Sequence, residues 1–516
     1  NPYGAGWVLD AARKVMPHVS SLTKPFRVKN PYGSDSINAN LYSGLNVALQ
    51  NSGVVNPVLE IENTWDKTIS YEFRNVGSVY AEVNFLKDFT FRGNWYADMS
   101  NVSTRVYSPL YYAYNPMNNT PYLYNTKTSV FESNQNYKKF QQDYLLTYKK
   151  KFGDNNLTVL GGFTTYYNGF NELFGTSTQG SGAADLPIPN DKRLWYLNNG
   201  FGYVGQAGAS SSQTEGTTVS ALGRFLYSFK NKYYLNGSFR DDASSRIATA
   251  NRHQKFWSVG AGWEVSKEDF MANQKVINYL KLKGSTGVLG NQSSYGFAGD
   301  YPTYPGLRPG TVVPFGGNLV TGALPQYRVN PDLKWETVNA TDIGLELTAF
   351  NNRLHFEATY YTKVTKDMMT YVDLSSLGLD NKLENGGKIH NWGEELSATW
   401  TQKVNSDLTI NVNGNITFMK NKVLGVAEDL PGGMIIRGFM NNGSAEARTV
   451  PGYAIGSFWG YVVEGLYQSN LDILSSPPAS SLGAYRAGDL KFKDLNGDGV
   501  IDAKDRTFIG NPTPDF

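Results

Sequence analysis

Residues Glu336–Asp367 read ETVNATDIGLELTAFNNRLHFEATYYTKVTKD, and the order of side chains within them decides the fold. In the first arm Ile343, Leu345, Leu347 and Ala349 alternate with Asp342, Gly344, Glu346 and Thr348. After the polar turn Asn351-Asn352-Arg353, Leu354, Phe356, Ala358 and Tyr360 alternate with His355, Glu357, Thr359 and Tyr361. A period of two sends one set to each side of a strand, so the stretch predicts an antiparallel hairpin with an apolar face and a polar face. A lone hairpin is marginal in water, so a chain built from many must close them on one another. Either a soluble sandwich hides the apolar face, or an all-β transmembrane antiparallel β-barrel turns it outward to lipid.

Working outward, the same pattern recurs as six hairpins within residues 79–418. They pair Val79–Phe85 with Phe89–Met99, Phe140–Lys150 with Leu157–Asn168, and Thr218–Ser228 with Tyr233–Arg240. Phe256–Val265 with Tyr279–Leu289, Thr341–Ala349 with Leu354–Lys363, and Glu395–Thr401 with Leu408–Phe418 complete the set. Ser266-Lys267-Glu268-Asp269 reads as a capping box opening one helical turn. The last arm sets Leu408, Ile410, Val412, Ile416 and Phe418 against Asn411, Asn413 and Asn415, which predicts lipid on one side and a wet bore on the other. Residues 1–55 read as mostly loop, with a short helix over Val8–Val15, and residues 419–516 as one long extracellular excursion.

Connections alternate short then long, and the long ones carry the Gly, Ser, Asn and Pro, which is the build of an outer-membrane barrel. Arms of about 9–11 residues suit a tilted membrane strand, whereas sandwich strands run to about 5–6. With loop at both ends and no Met before Asn1, residues 1–516 are expected to be one partial barrel domain from a longer precursor.

Composition agrees. Hydrophobic residues make up 40% and mean hydropathy is −0.40, and the absence of any long apolar run excludes membrane helices. Aromatics at 14%, with 34 Tyr and 10 Trp, are numerous enough for interfacial girdles. A net charge of +2 gives no reason to expect nucleic acid as a partner. Without Cys there is no disulfide, cysteine zinc site or thiol nucleophile, and the four His form no zinc-type pairing.

A set of short phrases, in order, resembles the large TonB-dependent outer-membrane transporters of Bacteroidetes called SusC-like or RagA-like. They include Asn56-Pro57, Leu222 to Tyr227, and Arg240-Asp241-Asp242-Ala243-Ser244-Ser245-Arg246, where the family usually has Asp-Gly for Asp242-Ala243. Gly262-Trp263, Glu268 to Met271, Leu280 to Lys283 and Gly290-Asn291-Gln292 follow. Next come Asn330-Pro331-Asp332-Leu333-Lys334-Trp335-Glu336, Asn391 to Leu396, Asn421-Lys422-Val423, Gly456 to Tyr461, and Asp494 to Pro512. The resemblance implies a 22-stranded barrel in the bacterial outer membrane, a plug encoded before Asn1, and further strands after Phe516. It also implies a SusD-like surface lipoprotein as lid, and coupling to TonB, ExbB and ExbD through the missing N-terminal region.

The sharpest chemical pattern is Asp494–Asp505, DLNGDGVIDAKD. It sets Asp494, Asn496, Asp498, Asp502 and Asp505 at loop positions 1, 3, 5, 9 and 12, with Gly499 at 6 and the Val500 carbonyl at 7, a donor set suited to Ca²⁺. Position 12 is Asp where an EF-hand has Glu. The alternative is an Asx-rich turn that folds without metal. Arg240, Asp242 and Arg246, beside Asp241, are candidates for a polar substrate, against a salt-bridged rim. Tyr111 and Tyr112, with Tyr114, Tyr122 and Tyr124, are candidates for stacking on sugar or peptide, against girdle or loop packing. Asp342, Glu346, His355 and Glu357 are expected on a polar lumen without catalysis, so no enzyme is read here. The phrase from Gly175 lacks the Lys of a phosphate loop.

The expected function is therefore active import of a large nutrient, glycan or peptide, through outer-membrane lipid. The alternatives are a passive porin or surface adhesin, or a secreted calcium-dependent glycan-binding β-sandwich.

Overall fold

The computed structural model describes residues 22–45, 55–180, 186–200, 208–292, 301, 303, 307–325, 329–372, 382–427, 435–440, 445–478 and 485–513. The helix expected over Val8–Val15 lies outside them. Twelve long strands dominate. They are β1 (Thr68–Phe85), β2 (Phe89–Ser108), β3 (Lys127–Phe152), β4 (Asn155–Gly180), β5 (Gly208–Phe229) and β6 (Tyr233–Ser244). Then follow β7 (His253–Glu264), β8 (Ile277–Asn291), β9 (Glu336–Ala349), β10 (Leu354–Val372), β11 (Lys382–Lys403) and β12 (Thr409–Gly425). They form one 12-stranded sheet in which each strand pairs with its neighbours in sequence, from β12 at one end to β1 at the other.

The predicted hairpins are all present, with the polar turns where they were expected. Leu86 and Lys87, Lys230 and Asn231, and Phe350, Asn351 and Asn352 adopt positive φ. Paired left-handed residues give the tight turn the twist that flanking strands require.

Strand length is the first correction. The arms were expected to be about 9–11 residues, but β3 and β4 each run for 26 and β2 for 20. Polar ladders extend them: Asn101 Nδ2 donates to Asn136 Oδ1 at 2.7 Å, Asn136 Nδ2 to Asn171 Oδ1 at 2.9 Å, and Gln135 Nε2 to Glu172 Oε1 at 2.6 Å. Cross-strand hydrogen bonds of this kind stand beside the ring contacts of Phe131 with Phe174 and Tyr137 with Phe170, and strands of such mixed faces show no period-two signal. The second correction concerns alternation: the link between β6 and β7 (245–252) is shorter than the turn-side link between β7 and β8 (265–276).

Several stretches read as loop are ordered strand. Lys24–Lys29 pairs with Ser36–Leu41, Tyr111–Asn115 with Thr120–Asn125, and Leu307–Phe315 with Asn318–Pro325. Within 419–516, Ile435–Met440, Ala445–Thr449, Ser457–Tyr461 and Arg506–Gly510 form a four-stranded sheet, and Val463–Leu466 pairs with Leu490–Phe492. The phrase from Gly175 begins as the end of β4. At Ser266 there is no capping box but two short 3-10 turns, Val265–Lys267 and Asp269–Met271, without side-chain caps.

The chain divides into two compact units. The first comprises Asn1–Val79, Trp95–Gln141 and Tyr167–Glu215, and the second comprises Tyr80–Asn94, Gln142–Tyr166 and Gly216–Phe516. In the first, helix α1 (Pro57–Thr64) starts where Asn56 Oδ1 accepts the Val58 amide at 3.1 Å and Pro57 fixes the first turn. In the second, the phrase Asn330–Glu336 is a clamp: Leu333 and Trp335 are buried, Trp335 Nε1 donates to the Arg252 carbonyl at 2.9 Å, and the Asn385 amide bonds both backbone groups of Lys334 at 2.9 Å.

Register in the second unit fixes the two faces. One rung runs Ile416–Leu396–Ala358–Leu345–Leu282–Trp263–Tyr233–Phe229 from β12 to β5, and every side chain in it is apolar or aromatic. On the opposite face a rung runs Asn415–Ser397–Glu357–Glu346–Lys281–Glu264 from β12 to β7. None of the buried apolar clusters among the described residues contains a member of the apolar rung. Ile343 is 66% and Val412 61% exposed on that side. Among the described residues no second layer covers it, so the sandwich reading falls: in water such a face carries a penalty of about 25 cal/mol per Å², and lipid removes it.

Candidate functional site

The polar face of the second unit is lined by strands that hold charged groups in neighbouring pairs. Lys283 Nζ lies 2.6 Å from Glu346 Oε1, and Ser285 Oγ donates to Asp342 Oδ1 at 2.6 Å. His355 Nε2 lies 3.1 Å from Glu357 Oε1, and Tyr234 Oη donates to Glu264 Oε2 at 3.1 Å. Although Glu346 and Glu357 are opposite each other in the ladder, each has its own basic neighbour. This arrangement holds the charges fixed along a wet surface.

Toward the long-connection end the face deepens into a cleft of about 280 Å³ lined by Ser238, Arg240, Asp242, Phe256, Ser258 and Leu289. Strand parity puts Ser238, Arg240 and Asp242 on one side of β6. Arg240 bonds Asp242 through Nε and donates from Nη2 to Ser220 Oγ at 2.8 Å, while the Ser238 and Ser258 hydroxyls lie 2.7 Å apart. A guanidinium held this way keeps a fixed orientation and offers directed donors. Two predicted residues therefore come together, while Arg246 sits elsewhere, against Gly216. Sequence reading missed Ser220, Ser238 and Ser258, although Ser238 shares the alternation of Arg240 and Asp242.

Tyr111 and Tyr112 stand in the first unit. Tyr111 is buried with Leu59 and Ala113, stacks on Tyr124 at 5.5 Å, and donates from its hydroxyl to Glu60 Oε1 at 3.0 Å. Its ring packs with Leu59 of α1, and the residue also lines a cleft together with Tyr112. Burial raises the Glu60 carboxyl above its ordinary range, partly offset by that hydroxyl. Tyr112 is half-buried.

The Asp494–Asp505 stretch folds as one tight loop. Asp494 accepts from the amides of Gly497 at 2.7 Å and Gly499 at 2.8 Å, and Asn496 and Asp498 accept from the amides two residues on. Gly497 and Gly499 have φ of +74° and +83°, which lets the chain reverse. Asp505, fully buried, accepts from the Asp502, Leu495 and Asn496 amides at 2.8, 2.9 and 3.4 Å, and forms a capping box with Asp502. These amides hold its carboxyl below the usual range. The donors are the hard oxygens that calcium takes. Among the described residues, however, no three His, Cys, Asp or Glu side chains gather as a metal-holding group.

Aromatic rings mark the short-turn end of the strands. Phe85 stacks on Phe89, Phe229 on Tyr233, and Phe350 lies 6.0 Å from Trp400. Here Glu268 accepts from the Tyr233 hydroxyl at 2.6 Å and Trp263 Nε1 at 2.9 Å, with Lys232 Nζ at 3.2 Å. These bonds, that of Tyr233 foremost, push its carboxyl down to about 2.

Comparison with known proteins agrees with this geometry. The sequence model of the family described as TonB dependent receptor-like, beta-barrel, matches residues 20–506. TonB-dependent receptor P3 of Formosa agariphila is 31% identical over 391 residues, 75% of this chain and 37% of that protein. TonB-dependent receptor SusC of Bacteroides thetaiotaomicron is 28% identical over 476 residues, 89% of this chain and 42% of that protein. The chain thus spans about two fifths of the length of these relatives. The structure of the RagAB peptide transporter shares the fold, with a TM-score of 0.67 at 21% identity over 88% of this chain and 46% of that one.

Proposed function

The chain belongs to the TonB dependent receptor-like β-barrel family of the bacterial outer membrane, and we propose from that premise that its protein actively imports a large nutrient, glycan or peptide, across that membrane. The barrel wall is the conduit, and the energy comes from the inner membrane through TonB. A SusD-like lipoprotein at the long-connection end captures cargo; this partner and the cargo class are carried over from the likeness to SusC and RagAB. The single observation that supports the reading is the division of the sheet into an apolar rung through Leu345 and Leu282 and a charged rung through Glu346 and Lys281. A wall of that kind has lipid on one side and a hydrated path on the other.

The test is uptake of labelled oligosaccharides and peptides by cells carrying the full-length protein. Import that stops when the inner-membrane proton gradient is collapsed supports the reading. Uptake that continues makes the protein a passive porin, and binding without uptake makes it an adhesin. Arg240→Ala, which removes the fixed donors of the lumenal cleft, is expected to slow transport of the preferred cargo with no change in the amount of inserted protein.

We further propose that Asp494, Asn496, Asp498, Asp502 and Asp505, with the Val500 carbonyl, take up Ca²⁺ at the cell surface. Support comes from the all-oxygen donor set and from the turn allowed by Gly497 and Gly499. Bound calcium adds a cation that ties the carboxylates together and stiffens the loop.

A further inference from the structure

Three elements of the first unit meet at the long-connection ends of β1 and β2, the ends that face outside the cell in this architecture. They are the hairpin Lys24–Lys29/Ser36–Leu41, helix α1, and the strand Tyr111–Asn115. Val28 and Leu41 pack on Tyr114, Leu59 packs on Tyr111 and Ala113, and Asn56 Nδ2 donates to the Ser43 carbonyl at 2.8 Å, so the three are tied together. They line an open cleft of about 510 Å³, within the range of about 300–1,000 Å³ usual for small-ligand sites.

The chemistry of its wall is selective. Thr23, Asn40, Tyr42, Glu62 and Tyr112 line it, and among the described residues none of their side chains makes a hydrogen bond or ion pair. Two further lining residues are committed, Asn63 Nδ2 to the Leu59 carbonyl at 2.8 Å and Tyr111 to Glu60, and the neighbouring Lys24 Nζ donates to Asn119 Oδ1 at 3.0 Å. Amide, hydroxyl and carboxylate together offer both donors and acceptors, and the Tyr42 and Tyr112 rings add apolar surface beside them. Glu62 is the only charged residue in the lining.

We propose that this cleft binds a neutral saccharide unit. Sugar hydroxyls donate and accept at once, as this wall does, and the C–H face of a pyranose packs on tyrosine. A uronate or sulfate ester is repelled by Glu62, with no cation in the lining to offset it. A peptide finds no cation for its carboxylate. The inference rests on the import reading for its biological meaning, and it narrows the cargo to uncharged glycan. Binding itself needs no energy coupling.

The test is titration calorimetry on the full-length protein in nanodiscs. The probes are short gluco-, manno-, xylo- and galacto-oligosaccharides, their uronate counterparts, and a mixed tetrapeptide pool. At least one neutral series is expected to bind, and Tyr42→Ala and Tyr112→Ala to weaken it roughly tenfold each. Tyr42→Phe and Tyr112→Phe, which keep the ring, serve as folding controls and are expected to lose less. Glu62→Gln is expected to keep neutral binding and to admit uronates. No neutral binding, neutral binding indifferent to both alanine variants, or tighter binding of uronates or peptides overturns the proposal. If the cleft fails while gradient-dependent uptake persists, the import reading stands without it.

Discussion

Lys283 Nζ stands 2.6 Å from Glu346 Oε1 across β8 and β9, while the residues immediately before them in sequence, Leu282 and Leu345, are register partners on the other side of the sheet. One step along the chain separates a charged wall from an apolar one. The two sides must therefore meet different solvents, and each predicts its own tolerance to charge.

Leu345→Arg places a cation on the apolar rung and is expected to cost about 2–4 kcal/mol near the bilayer midplane. Thr359→Arg places the same group on the polar face, opposite Gly344, and is expected to stay within about 0.5 kcal/mol. Urea unfolding from lipid vesicles measures both. Equal costs for the two variants would sink the assignment of faces.

Two glycines in adjacent strands make a second pair. A Cβ on Gly393 meets the Phe418 carbonyl at 2.3 Å and the Tyr361 hydroxyl at 2.8 Å, whereas a Cβ on Gly414 meets nothing within 4 Å. A backbone carbonyl inside a ladder cannot step aside, so Gly393→Ala is expected to destabilise by about 1–3 kcal/mol. Gly414→Ala is expected to be neutral or to stabilise by up to about 1 kcal/mol. The same unfolding assay reads both, and a Gly393→Ala protein as stable as the parent refutes the close approach.

What the sequence disclosed follows from where one face is apolar. Ile343 to Ala349 and Leu354 to Tyr360 betray their strand by alternation, and their register came out as the alternation requires. Gln135, Asn136 and Asn171 are strand residues with no such pattern, since their side chains hydrogen-bond across the ladder. That Tyr111 packs on Leu59 of α1 while lining a cleft could not be read from local sequence, because both depend on where α1 docks. Arg240 and Asp242 were legible as a charged pair, but the Ser220 partner of Arg240 on β5 and the Ser238–Ser258 contact beside it depend on pairing across strands. Glu268 was legible only as a helix start, although its actual partners Tyr233 and Trp263 lie on two neighbouring strands.

That rim contact carries a pH signature. Glu268 is held at about 2, below the ordinary 4.5, so the folded state favours its charged form. The contribution is complete above about 4.5 and is lost as pH falls toward about 2. Glu268→Gln removes it, so the difference in melting temperature between parent and variant is expected to be largest at neutral pH and to shrink on acidification. Tyr233→Phe removes the leading cause and is expected to flatten the same curve in part. A difference independent of pH overturns the assignment.

The loop Asp494–Asp505 offers a last test, because its two organising agents separate. The Asp505 carboxyl is held low by the Asp502, Leu495 and Asn496 amides, so loop order is expected to persist above the usual carboxylate range and to fade as pH falls below it. Asp505→Asn is expected to speed hydrogen exchange at those three amides at neutral pH, with or without metal, since a neutral amide is the weaker acceptor. Calcium draws on the remaining ligands as well: Asp494→Asn and Asp498→Asn lower the negative charge that attracts the ion. Calorimetric titration of the parent is expected to give one calcium per loop, weakened severalfold in either variant, with exchange across residues 494–505 slowed by calcium and restored by chelator. Exchange rates that calcium leaves unchanged would mean that the carboxylates serve the backbone alone, and that Asp505 organises a turn with no metal in it.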